Sequence, residues 1–128
     1  MELFDILAFE STVVENVPID TTEPDFVTVI THQRTGLALG DYKLTFSMRF
    51  NHHTTSQSFL YRFSLDGGAT WGLTYEKEVK ERNNSEVIEV INVLKGIQGD
   101  LDVRLQCSRE GTATCTVEKA FISSERKK

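Results

Sequence analysis

Tyr42-Lys43-Leu44-Thr45-Phe46-Ser47-Met48-Arg49-Phe50 is the stretch that decides the fold. Apolar side chains fill every second position, and Lys43, Thr45, Ser47 and Arg49 fill the places between them. Successive side chains of an extended strand point to opposite faces, so a period of two puts one face in a core and the other in water.

The same grammar extends in both directions. Upstream, Gly40-Asp41 breaks the chain, and Phe26-Val27-Thr28-Val29-Ile30 reads as a β-branched strand bounded by Thr35-Gly36. Residues 13–25 carry both prolines, Pro18 and Pro24, and read as an extended connection. Before them, Leu3 to Phe9 is mostly apolar and forms either a first strand or an anchoring arm. Downstream, a polar loop from Asn51 to Gln57 precedes the alternating Phe59, Tyr61, Phe63 and Leu65. Asp66-Gly67-Gly68 then turns the chain into a partly charged strand toward Val79. Val87, Ile88, Ile91 and Leu94 also fit a helical stripe, but the β-branched content of residues 86–95 favours a strand. Leu101, Val103, Leu105 and Cys107 are expected to return through a turn near Glu110-Gly111 as a hairpin with Ala113, Cys115 and Val117. Phe121 and Ile122 close the core. Seven or eight short strands with no helix predict an all-β sandwich or barrel. The expected division is an arm or first strand over 1–25, a β-sandwich over 26–123 and a charged tail over 124–128.

The bulk numbers fit one domain. The chain has 128 residues, 39% hydrophobic and 26% charged, which is globular composition. Its net charge of −5 argues against nucleic acid, because displacing counterions from phosphates needs a basic face. No apolar run approaches the roughly 20 residues that cross a bilayer, so no membrane partner is expected. The start lacks a basic region and a cleavage site, which predicts synthesis in a cytoplasm without a signal peptide.

Ser64-Leu65-Asp66-Gly67-Gly68-Ala69-Thr70-Trp71 is the most specific local motif, and it matches the Asp-box pattern Ser-x-Asp-x-Gly-x-Thr-Trp. Ser64, Asp66, Gly68, Thr70 and Trp71 are its pattern residues. Asp66 can accept from backbone N–H groups ahead of it, the glycines permit positive φ, and Thr70 can tie the turn from its far side. Trp71 either packs beneath the loop or, if exposed, stacks on a sugar ring. Cys107 and Cys115, the only cysteines, form either a cross-strand disulfide or a buried thiol pair. His52 and His53 read as surface loop residues. Without a third ligand nearby, no metal site is expected. Acidic residues from Glu76 to Glu89 interleave with Lys77, Lys80 and Arg82 as a solvated face. No nucleophile and base come together in the sequence, so neither catalysis nor a cofactor is expected.

Two passages resemble the TNF/C1q-like jelly roll: Gly40-Asp41-Tyr42-Lys43-Leu44-Thr45-Phe46-Ser47, and Val93 through Gly99-Asp100 to Leu105. The resemblance spans roughly residues 26 to 123. It implies an antiparallel jelly-roll sandwich and a homotrimer. An acidic jelly roll behind an N-terminal arm also resembles small phage virion proteins that decorate capsids or join fibres. That likeness implies a structural role in a virion, with a major capsid protein or other virion subunit as partner. Leu3, Phe4, Ile6, Leu7 and Phe9 of the arm would make the contact, adding a strand to an open sheet edge. The alternative is a carbohydrate-binding module or the receptor-reading part of a fibre, with Trp71 on the glycan.

Overall fold

The structure, a computed structural model, describes residues 9–22, 25–52, 58–78, 85–110 and 115–127. They form six strands: β1 (Glu10–Pro18), β2 (Val27–His52), β3 (Ser58–Ser64), β4 (Tyr75–Glu78), β5 (Ser85–Arg109) and β6 (Cys115–Arg126). All pairings are antiparallel, in the order β1-β6-β2-β5-β3-β4.

Two of these strands are unusual, β2 with 26 residues and β5 with 25. Straight, each would run roughly 80 Å and could not enclose a core. The β2–β5 ribbon instead creases near its middle. Its register slips between Arg34 and Leu37, between Leu37 and Gly40, and between Gly40 and Tyr42. Gly36, Gly96 and Gly99 take φ of 64°, 63° and 85° there, a conformation open to glycine at no steric cost. Side chains satisfy backbone groups released by the crease. Asp41 accepts the Gly96 N–H at 3.1 Å, and the Tyr42 hydroxyl donates to the Ala38 carbonyl at 2.7 Å.

Creasing doubles the ribbon over itself. One layer contains β1, β6, the second half of β2 and the first half of β5. The other contains the first half of β2, the second half of β5, β3 and β4. Eight strand segments in two layers make the all-β antiparallel jelly-roll sandwich that the resemblance implies. Thr35-Gly36 and Gly40-Asp41, read from sequence as strand boundaries, bend the chain without releasing it from the ladder.

The alternation from Tyr42 to Phe50 does line the core, with all five apolar side chains buried. Phe50 stacks on Phe59 of the opposite layer, centroids 4.2 Å apart, and Phe46 meets Phe63 edge-on at 4.9 Å. Met48 Sδ lies 4.0 Å from Cys107 Sγ. Each such side chain removed from water contributes about 1.5–3 kcal/mol.

Three expectations are corrected. The last two strands are not a hairpin: the second half of β5 pairs with β2 and β3, whereas β6 pairs with β1 and β2. The link between them changes layers, because the crease has already carried the second half of β5 away from the sheet that β6 joins. Next, β6 runs on to Arg126, so residues 124–126 are strand rather than tail. Ser124 is buried there, bonded to His32 and Arg34. Finally, His52 is fully buried at the end of β2, opposite Cys115, rather than on a surface loop. It continues the inward parity of Met48 and Phe50. His53 lies outside the described residues. Residues 85–95 are strand.

Candidate functional site

β3 positions the site. Its inward side chains grade from Phe59, fully buried, through half-buried Tyr61 and Phe63 to Leu65, which is 45% exposed just beyond the strand. The layers part in that direction. Where β3 ends, Ser64 to Trp71 make a compact turn. Ser64 Oγ donates to Asp66 Oδ1 at 2.7 Å and accepts the Gly68 N–H at 2.9 Å. The Thr70 N–H donates to Asp66 Oδ1 at 2.9 Å and its hydroxyl to Oδ2 at 2.5 Å. Gly67 and Gly68 adopt φ of 73° and 91°. A Cβ on Gly67 would stand 3.1 Å from Asp102 Oδ2, on the strand to which the Gly67 N–H is bonded through the Asp102 carbonyl at 3.1 Å. These donors, the Thr70 hydroxyl and N–H foremost, hold the Asp66 carboxyl at about 2, below its ordinary 3.8.

Trp71 is partly buried, and its ring lies 4.6 Å from the Arg62 guanidinium, which also covers the Phe26 ring at 4.1 Å. Gln106 fixes Arg62 by accepting from Nε at 3.0 Å and Nη2 at 2.7 Å. One face of the indole is therefore occupied by a cation held in place.

After the turn, Gly72 donates to the Phe63 carbonyl at 3.0 Å, so residues 71–74 run beside β3 before β4 begins. A cleft of about 540 Å³ opens here. Tyr61, Phe63 and Leu65 form its floor. Leu73 and Tyr75 form one wall, Val90 and Asn92 of β5 the other, and the turn residues Asp66, Thr70 and Trp71 the end. Tyr61 and Tyr75 stack at 5.3 Å with planes 22° apart. Burial, and secondarily Tyr75, push the Tyr61 phenol up, so it stays protonated. Leu73 is 77% exposed and Tyr75 48%, so the outer wall presents apolar surface to water.

The β5 wall is itself an edge. Among the described residues, 85–94 pair only with β2, and their other side has no strand beside it. Val87, Val90, Ile91 and Val93 are exposed on its two faces.

The opposite flank of the sandwich is closed. His32 is buried, with Nδ1 at 2.8 Å from Thr12 Oγ1 of β1 and Nε2 at 2.8 Å from Ser124 Oγ of β6. Arg34 Nη1 donates to the same Ser124 hydroxyl at 2.8 Å, and Arg34 Nε lies 3.5 Å from Glu10 Oε2. Burial, then Arg34, push the imidazole below its ordinary 6.5 against the opposing pull of Glu10.

Of the arm residues expected to make contacts, Leu3, Phe4, Ile6 and Leu7 lie outside the described residues. Phe9 is half exposed, next to β1. Cys107 and Cys115 are buried thiols in opposite layers and are not bonded to each other. Burial pushes both up, Cys115 to about 12. No group of three metal-ligating side chains occurs among the described residues. Among the described cleft residues the one carboxylate is Asp66, and both its oxygens are engaged within the turn.

Sequence reasoning located the turn but not the cleft. Its walls come from segments some 15 to 30 positions apart, joined only by the crease. The available signal was the run from Val87 to Val93, which is apolar on both faces.

No protein-family model matches the sequence, and no curated protein matches it. Solved structures do match the fold. A chain of the T13 infectious bursal disease virus particle aligns with a TM-score of 0.66 at 8% identity, over 93% of this chain and 31% of that one. The VP2 subviral particle of the same virus gives 0.65 at 9% identity, over 92% and 33%. Dimeric latent PorU from Porphyromonas gingivalis gives 0.50 at 8% identity, over 93% and 13%. This chain thus spans about a third of the viral chains, and at such identities the likeness is one of fold.

Proposed function

We propose that this chain is a non-enzymatic structural module of a virus particle, acting through protein–protein contacts. In the finer form of this reading it is a phage component, a trimer that decorates a capsid or attaches a head or tail fibre through its N-terminal arm. The observation that carries it is the open flank. An apolar cleft beside a strand edge that is unpaired among the described residues suits another polypeptide, and among those residues no proton-transfer machinery converges on it. The fold shared with virus-particle chains points the same way. Particles purified from the virus that encodes the chain should contain it at fixed stoichiometry, measured by quantitative mass spectrometry. Its absence from intact particles sinks the reading.

A glycan-binding role is the second reading, favoured by the stacked Tyr61–Tyr75 pair at the cleft. Aromatic faces of this kind hold sugar rings. Tyr75→Ala should abolish any signal on a glycan array, whereas Trp71→Ala disturbs a ring already packed on Arg62.

A further inference from the structure

We propose that residues 3–9 of a second copy of this chain dock along the open edge of β5, residues 85–94, as an added antiparallel or parallel strand covering the cleft. The inference rests on the contact-module reading above and names the partner and the seat.

Three observations converge. First, among the described residues nothing pairs with or covers this edge. Proteins that remain alone guard such edges with charges, prolines, bulges or a covering loop. Here residues 85–94 carry two charges, Glu86 and Glu89, and no proline, while Val87, Val90, Ile91 and Val93 stay exposed. A strand laid on this edge would join a ladder whose inward side chains, Val90 and Asn92, already face the cleft.

Second, the arm has the matching alternation. In an extended conformation Phe4, Ile6 and Ala8 share one face, wholly apolar, while Leu3, Asp5, Leu7 and Phe9 share the other. The first face suits the cleft, where Phe63, Leu65 and Leu73 lie uncovered or half covered. The second suits the outer face beside Val87, Ile91 and Val93, with Asp5 left toward water. Backbone hydrogen bonds would supply affinity and the alternate side chains specificity.

Third, geometry directs the arm to another copy. Glu10 pairs with Ser124 in β1, at the far side of its layer, with β6, β2 and β5 in succession beyond it. A seat past β5 lies four strand spacings away, about 19 Å. Residues 3–9, fully extended, reach about 24 Å from Glu10. A chain using its own arm would spend most of it in crossing, leaving roughly one or two residues to pair. An arm from a neighbour has no such tether. Passing each arm to the next copy is a head-to-tail contact, which makes a ring where the rotation between copies closes and a filament where it does not.

The test uses the full chain. Ala8→Cys is placed in one preparation and Val90→Cys in another, and the two are mixed under mild oxidation. The native thiols are buried and held protonated, so they do not compete. The expected result is a cross-linked dimer from the mixture, absent from either preparation alone. Ile6→Asp in the Ala8→Cys chain should lower the yield about tenfold. Light scattering of the unmodified chain should give a multiple of 14.5 kDa. Deletion of residues 2–9 should reduce it to a monomer with an unchanged circular dichroism spectrum. An oligomer that survives the deletion overturns the proposal. So does a chain that is monomeric throughout, or a disulfide closing within one molecule of the doubly substituted chain. Each leaves the virion reading to the particle-composition measurement, which does not depend on self-association.

Discussion

Along the flank where β1 meets the first half of β2, the gap between the layers is filled by His32, Arg34, Thr12 and Ser124, hydrogen-bonded across three strands. Along the other flank, where β4 faces the first half of β5, the layers separate over tyrosines and leucines that nothing described covers. The two flanks have the same architecture, two sheet edges one above the other. What differs is the chemistry at the margin. A sealed flank accepts the cost of burying polar groups and recovers it only because each finds a partner. An unsealed flank leaves apolar area in water, which is retained where another surface removes it.

The core between the flanks sets the scale of any attempt to break this contrast. Phe50→Ala removes one member of the Phe50–Phe59 stack and should cost about 3–5 kcal/mol in denaturant unfolding, disrupting both flanks together. Next in size is the sealed flank alone. His32→Ala leaves a cavity between two hydroxyls and should cost roughly 2–3 kcal/mol, with amide exchange accelerating first in β1. A phenotype confined to the cleft would contradict the contrast.

Acid should separate the flanks further. The folded His32 imidazole titrates below its ordinary value, so the native state resists the proton. Its contribution is complete above about pH 6.5 and is lost as the pH falls below that. Asp66 behaves as a depressed carboxylate: its contribution is complete above about 3.8 and disappears as pH falls through about 2. Exchange in β1 should therefore rise in mild acid while the fluorescence of Trp71, the single tryptophan, holds until much lower pH. Simultaneous change would refute the separation. The smallest effect belongs to the open flank. Ile91→Lys or Leu73→Ala should shift folding stability by no more than about 0.5 kcal/mol, because both side chains are already in water. A larger loss would mean that these residues serve the fold rather than a partner.

The sequence made the two ends of this comparison unequally legible. Strict alternation from Tyr42 to Phe50 needs no partner to be read, since parity alone decides which face is wet. The 64–71 turn was equally open to reading, because its bonds run between residues two to four apart. The sealed flank was not visible. His32 carries no local mark of burial, and Thr12 and Ser124 reach it only after the chain has been folded over. The same long-range event defeated the β5–β6 hairpin: apolar parity matched on both sides of Glu110, but parity does not say which layer a strand joins. For the cleft, the β-branched content of residues 86–95 was enough to read a strand but not the exposure of Val87, Ile91 and Val93. Their exposure follows from lying last in their layer, a matter of topology rather than composition.

Because β2 and β5 each run through both layers, neither sheet owns all of its strands. Peeling one away drags the backbone of the other with it, and the glycine crease gives a line of bending but no line of cleavage. The sandwich should therefore hold or fail as one body, and a tug on one layer is shared along a continuous peptide spine rather than absorbed at the seam.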